Sequence, residues 1–126
     1  DRFRAQAIEA AEQSRRIDIP EIFEAVSFDK LLSDWDRERK LFYMDETGAG
    51  DTIFKAFSEA ARQNSGKTAL LTGPEGGFSE AELTALRQAA FSRGVSMGER
   101  ILRAETAVAA ALACWQAIAG DWHKER

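Results

Sequence analysis

In 126 residues there are one cysteine, one histidine, two prolines and one tyrosine, and these shortages exclude several chemistries. A lone Cys114 rules out an internal disulfide framework and a thiolate metal cluster, so a reducing compartment is its simplest setting. His123 is the only histidine and lies in a polar tail, which leaves no histidine-dependent triad and no histidine-based zinc site. No apolar run reaches the ~20 residues that a membrane-spanning helix needs. The N-terminus lacks the charged head, apolar core and small-residue cleavage site of a secretory signal. The expected location is the cytoplasm, away from membranes and without a metal. Surplus positive charge is missing too. Seventeen Lys and Arg against 21 Asp and Glu give a net charge of −4, whereas a nucleic-acid grip depends on clustered cations that neutralise phosphates. Arg15-Arg16 and the stretch from Arg37 to Lys40 are too short and mixed to reverse that balance.

What is present is ordinary globular composition, 44% hydrophobic and 30% charged, at a length that fills one core. One domain is expected over 1–126, and a chain opening at Asp1 reads as part of a longer protein. Helix formers from Arg4 to Gln13 predict a first helix. Pro20 ends it, and Ile22 to Val26 reads as a short strand. Ser27 caps a second helix with Phe28, Leu31, Leu32 and Trp35 at i, i+3, i+4 and i+7. Asp36 to Lys40 closes that helix. Leu41 to Met44 is an apolar run suited to a strand buried on both faces. A loop from Asp45 to Gly50 leads to a helix over Asp51 to Gln63, with Ile53, Phe54, Phe57 and Ala61 on one face. Ala69 to Thr72 is a second buried strand. Ser79 and Glu82 form a capping box before a helix carrying Leu83, Leu86 and Ala90. Val95 to Met97 is a short strand, and a last helix runs from Ala104 to Ala119, stopping at Gly120. Strands alternating with helices point to an α/β fold, a parallel sheet flanked by helices.

Two loops and one helix stand out. The strand ending at Thr72 delivers the chain into Gly73-Pro74-Glu75-Gly76-Gly77, three glycines and a proline in five residues. Ligands of parallel sheets sit outside the carboxyl ends of strands, where glycine lets the backbone come close. On composition alone a plain strand-to-helix turn explains this loop equally well. Gly66-Lys67-Thr68 is not a phosphate loop, because position 61 is Ala61 and a strand rather than a helix follows. In the second loop, Met97 to Arg103, Ile101 and Leu102 sit between Arg100 and Arg103 and can wall a pocket; in isolation, two apolar loop anchors are the simpler reading. The final helix is apolar nearly all round, so it is either an interface or a central core helix. Cys114 within it reads as a small core residue. Asp45 and Glu46 follow a strand and can face a site, although loop acids are more often solvated.

Together these motifs form a pattern. Leu71-Thr72-Gly73-Pro74-Glu75-Gly76-Gly77-Phe78-Ser79, a Glu-bearing helix, and Met97-Gly98-Glu99-Arg100-Ile101-Leu102-Arg103-Ala104-Glu105-Thr106-Ala107 closely resemble the bacterial 16S ribosomal RNA (uracil-N3)-methyltransferase family, of the SPOUT class of knotted methyltransferases. Ala10-Ala11-Glu12-Gln13-Ser14-Arg15-Arg16 with Ile19-Pro20 matches the start of that family's catalytic domain, so the resemblance spans nearly the whole chain. It implies a C-terminal trefoil knot, S-adenosylmethionine as cofactor, a homodimer whose interface includes the last helix, and 16S ribosomal RNA as partner. It also implies an RNA-binding barrel domain N-terminal to this chain, which would supply the grip that the acidic charge withholds.

Carried over residue by residue, the resemblance places Leu71, Thr72, Gly73 and Gly76 against the cofactor from the first loop. Met97, Gly98, Ile101 and Leu102 would meet it from the second, with Met97 where the family more often has Leu. Met44 and Glu46 would border the same pocket. Arg103 is the expected stabiliser of a uracil anion, and Glu75 or Glu105 the expected aid to proton removal. Two other readings remain open at this point: a knotted methyltransferase acting on another RNA, such as transfer RNA ribose, and a non-catalytic cofactor-binding dimerisation module.

Overall fold

The computed structural model describes residues 2–14, 19–63, 66–98 and 103–124. It divides into two compact units, 1–31 and 32–126. The first holds helix α1 (Arg2–Gln13) and a stretch from Ile19 to Ser27 that is neither helix nor strand. Ile22 to Val26, expected as a strand, forms none. Ile22, Phe23 and Val26 are exposed, and without a neighbouring ladder β-prone residues have nothing to pair with. Helix α2 (Phe28–Ser33) begins where the Ser27 hydroxyl accepts the Lys30 N–H at 3.2 Å. It stops short of Trp35, whose indole instead donates to the Arg39 carbonyl at 2.8 Å and stacks on Phe91.

The second unit is built on a four-stranded, all-parallel sheet: β1 (Lys40–Met44), β2 (Asp51–Thr52), β3 (Thr68–Leu71) and β4 (Ser92–Ser96), in the order β2-β4-β1-β3. Its helices are α3 (Ile53–Gln63), α4 (Glu80–Gln88) and α5 (Ala104–Ile118). β1 is central, and Leu41 to Met44 are buried as an apolar run predicts. β3 lies at the edge and is only half-buried. Side chains alternate across a strand, so Phe42 and Met44 share a face. That face forms the core with Ala56, Phe57 and Ala60 of α3, Val95, and Ala111 of α5. Trp115 closes it, its ring centroid 5.1 Å from Phe57 and 6.0 Å from Phe42.

The helix from Asp51 is shorter than expected because Asp51 and Thr52 pair with Val95 and Ser96 as β2. Phe54 is 69% exposed and lies off the buried face, which Ala56, Phe57 and Ala60 form. Ala90 falls beyond α4 and is exposed. The Ser79–Glu82 capping box is complete in both directions. In α5, Ala107 and Ala111 are buried and Cys114 packs on the core, but Val108 and Leu112 are 42% and 50% exposed. Within one chain that helix is therefore not buried on most sides. Among the described residues no helix is long and apolar enough to cross a membrane.

Candidate active site

From β1 the chain runs to β2 at one edge, through α3 to β3 on the other side of β1, then through α4 back to β4 between β2 and β1. That reversal creates a crevice at the carboxyl end of β1, the place where open parallel sheets bind ligands. A pocket occupies it, lined by Met44, Asp45, Glu46, Thr72, Gly73, Val95, Met97, Gly98, Ala104 and Ala107. The walls are mostly apolar: Met44 and Val95 come up from the core, and Ala104 and Ala107 from the first turns of α5. Thr72, Gly73 and Gly98 bring loop backbone to the rim, Gly98 with φ +100°.

Of the expected cofactor-binding residues, the structure brings Met44, Glu46, Thr72, Gly73, Met97 and Gly98 together here. Leu71 is the last residue of β3 and leads into the lining without being part of it. Gly76 is exposed, and a β-carbon there would meet nothing within 4 Å. The neighbouring Gly77, whose N–H donates to the Pro74 carbonyl at 2.8 Å, is the glycine with a conformational demand, at φ +77°. Ile101 and Leu102 lie outside the described residues. Glu75 is exposed in the turn between Pro74 and Gly77. Arg103 is the exposed N-cap of α5 and makes no side-chain cap bond, while Glu105 sits exposed in the helix's first turn.

Sequence reasoning did not single out Val95, Ala104 or Ala107 as lining, since small apolar residues in strand and helix look like any core. It also left Asp45 undecided between site and solvent. Asp45 is 4% exposed. Its Oδ1 accepts the Thr47 N–H at 2.9 Å and the Thr47 hydroxyl at 2.6 Å, and its Oδ2 accepts Arg87 Nη2 at 3.1 Å. Arg87 reaches Thr47 as well, at 3.3 Å. Burial pushes the Asp45 carboxyl upward, but the bonds from Thr47 and Arg87 outweigh it and hold the carboxyl below its ordinary value. The Tyr43 hydroxyl moves the other way, raised by burial and by the Asp45 charge. Arg87 from α4 and Asp45, the residue after β1, thus pin the 45–48 turn that forms one side of the pocket.

A depressed folded-state carboxyl stabilises the fold above the unfolded value and loses that contribution as pH falls through the folded one. Asp45→Asn is therefore expected to lower stability by about 2 kcal/mol at pH 7. The gap from wild type should hold above about pH 5 and shrink below about pH 4. Urea unfolding of both proteins at pH 7 and pH 3 checks this, and a gap that is equal at both pH values removes the charge from the explanation.

Comparison with known proteins follows the same geometry. Residues 1–116 match the RNA methyltransferase domain family. The chain is 36% identical over 111 residues to the ribosomal RNA small subunit methyltransferase E of Bacillus subtilis, covering 85% of this chain and 42% of that protein. It is 35% identical over 106 residues to the Rickettsia conorii protein of the same name, covering 84% and 42%. The chain thus spans less than half the length of these curated relatives. Among solved structures, the Neisseria gonorrhoeae ribosomal RNA small subunit methyltransferase E bound to S-adenosyl methionine is similar, with a TM-score of 0.79 at 31% identity. That match covers 96% of this chain and 48% of that one. A Legionella pneumophila methyltransferase in complex with the same cofactor gives a TM-score of 0.74 at 31% identity, covering 92% and 45%. With a family match across nearly its whole length, this chain belongs to the RNA methyltransferase domain family.

Proposed function

We propose that this chain is the S-adenosylmethionine-binding catalytic domain of a cytoplasmic enzyme that methylates N3 of a uridine in 16S ribosomal RNA. One observation carries the reading: a single pocket at the carboxyl ends of β1, β3 and β4 gathers residues from both glycine-bearing loops. The residues fit the cofactor. Met44, Val95, Met97, Ala104 and Ala107 suit its adenine and methionine carbons, and the bare backbone at Gly73 and Gly98 suits its polar edges. Leu71, Gly76, Ile101 and Leu102 complete the proposed contacts from the same two loops. When bound, the cofactor supplies a methyl group on a sulfonium.

The chain's own residues would do the rest. Arg103, next in sequence to the lining residue Ala104, stabilises negative charge on the uracil. Glu75 or Glu105 receives the N3 proton. Residues 1–126 serve as one catalytic domain with the chain knotted at its C-terminal end. An N-terminal RNA-binding domain of the longer protein takes most of the phosphate contact, in keeping with a net charge of −4 here. The apolar outer face of α5, where Val108 and Leu112 are exposed, is the proposed homodimer contact.

Calorimetric titration with S-adenosylmethionine tests the reading. Saturable binding is expected, with at least a tenfold loss in Gly73→Val, whose β-carbon would already stand 3.3 Å from the Phe78 ring at the pocket edge. A folded wild-type protein that takes up no cofactor would overturn it.

A further inference from the structure

The pocket carries an unbalanced charge. Among its described lining residues are two carboxylates, Asp45 and Glu46, and no Lys, Arg or His. Asp45 spends its charge inside the protein, on Arg87 and on both donors of Thr47. Glu46 does not: among the described residues its carboxylate has neither an ion pair nor a hydrogen bond. It rests over the bare α-carbon of Gly77, where a β-carbon would stand 2.7 Å from Oε2. Gly77 is also held in the left-handed region that favours glycine, at φ +77°. The 74–77 turn therefore offers Glu46 a seat free of side chains beside the pocket, while Arg87 fixes the turn from which Glu46 projects.

We propose that Glu46 gives this pocket a preference for a cationic ligand and thereby separates the methyl donor from the demethylated product. The inference rests on the cofactor reading above. In the transfer, the bond between sulfur and the methyl carbon breaks and its electron pair stays on sulfur. The methyl carbon bonds to the uracil nitrogen, whose proton has left. The sulfonium becomes a neutral thioether. Donor and product share the adenosine, the α-ammonium and the α-carboxylate, so the charge on sulfur is the main difference a carboxylate can read. Before transfer Glu46 attracts the ligand; afterwards that attraction is gone, which favours exchange of product for fresh donor. Glu46 is solvent-exposed, so the preference should weaken with salt.

Calorimetric titration of this chain and of Glu46→Gln with S-adenosylmethionine and with S-adenosylhomocysteine decides it. Glutamine keeps the shape and removes the charge. The expected result is about tenfold weaker donor binding in the variant with product binding changed by less than about twofold. The wild-type preference for donor should also narrow as salt rises. Equal weakening of both ligands would overturn the proposal by placing the carboxylate against a group they share, and no change in either would overturn it as well. A wild-type protein that binds neither ligand is a different pattern: it brings down the cofactor reading and this inference with it.

Discussion

Arg103→Ala in the complete enzyme is expected to lower turnover on small-subunit ribosomal RNA by about 100- to 1,000-fold while changing cofactor affinity by less than about twofold. The backbone at Arg103 is extended, with φ −64° and ψ 153°, and the next residue, Ala104, starts α5 and lines the pocket. The side chain is exposed and makes no capping bond, so the helix does not need the guanidinium for itself. Exposed substitutions of this kind usually move stability by no more than about 0.5 kcal/mol, so a fall in turnover would reflect chemistry and not unfolding. Removing the uracil N3 proton leaves an anion delocalised over ring oxygens and nitrogen. A guanidinium beside Ala104 that reaches the uracil would lower the cost of forming it without reorganising at the moment of reaction. Single-turnover assays separate this step from product release. Unchanged turnover would take Arg103 out of the mechanism, and a matched loss of cofactor affinity would make it a binding group.

How much of this was legible in the sequence depended on whether the cause was local. The capping box at Ser79 and Glu82, the buried run Leu41 to Met44 and the glycine loop after β3 are all decided within a few residues, and all three were readable. β2 was not, because Asp51 and Thr52 carry no apolar signal and become a strand only through pairing with Val95 and Ser96. Ile22 to Val26 shows the converse, with strand-like residues that have no partner. In α3 the pattern suggested Phe54 for the buried face, but small Ala56 and Ala60 let α3 lie close, and the larger ring points outward. The same distinction governs the site. Gly73 and Gly98 announce themselves by residue type and position. The burial of Asp45 depends on Arg87, 42 residues away, and no short-range pattern contains that pair.

Gly50→Ala is expected to be the most destabilising small substitution in the second unit, at about 3 kcal/mol or more. A β-carbon at Gly50 would stand 2.5 Å from the Gly94 carbonyl oxygen, 2.6 Å from its carbon and 2.8 Å from the Val95 nitrogen. All three are backbone atoms of β4 and cannot rotate aside. Nor can β4 retreat: Gly94 is itself pressed beneath Tyr43, whose ring would lie 2.9 Å from a β-carbon there. Relief therefore has to come from β2 lifting off β4. That movement would also loosen Arg93, which binds Asp51 at 2.6 Å and Glu59 at 2.7 Å and so ties β2, α3 and β4 together. Against a typical domain stability of about 5–15 kcal/mol, such a loss is a large fraction. Gly48→Ala provides the comparison. Gly48 has φ +79° but nothing within 4 Å of its β-carbon position, so it should cost only about 1 kcal/mol for the left-handed backbone. Urea unfolding of both variants separates close approach from conformational preference, and equal losses would mean that the packing of the 48–50 turn on β4 does not limit stability. Because β4 runs on into Val95 and Met97 of the pocket wall, the Gly50 variant should lose cofactor affinity as well, whereas the Gly48 variant should retain it.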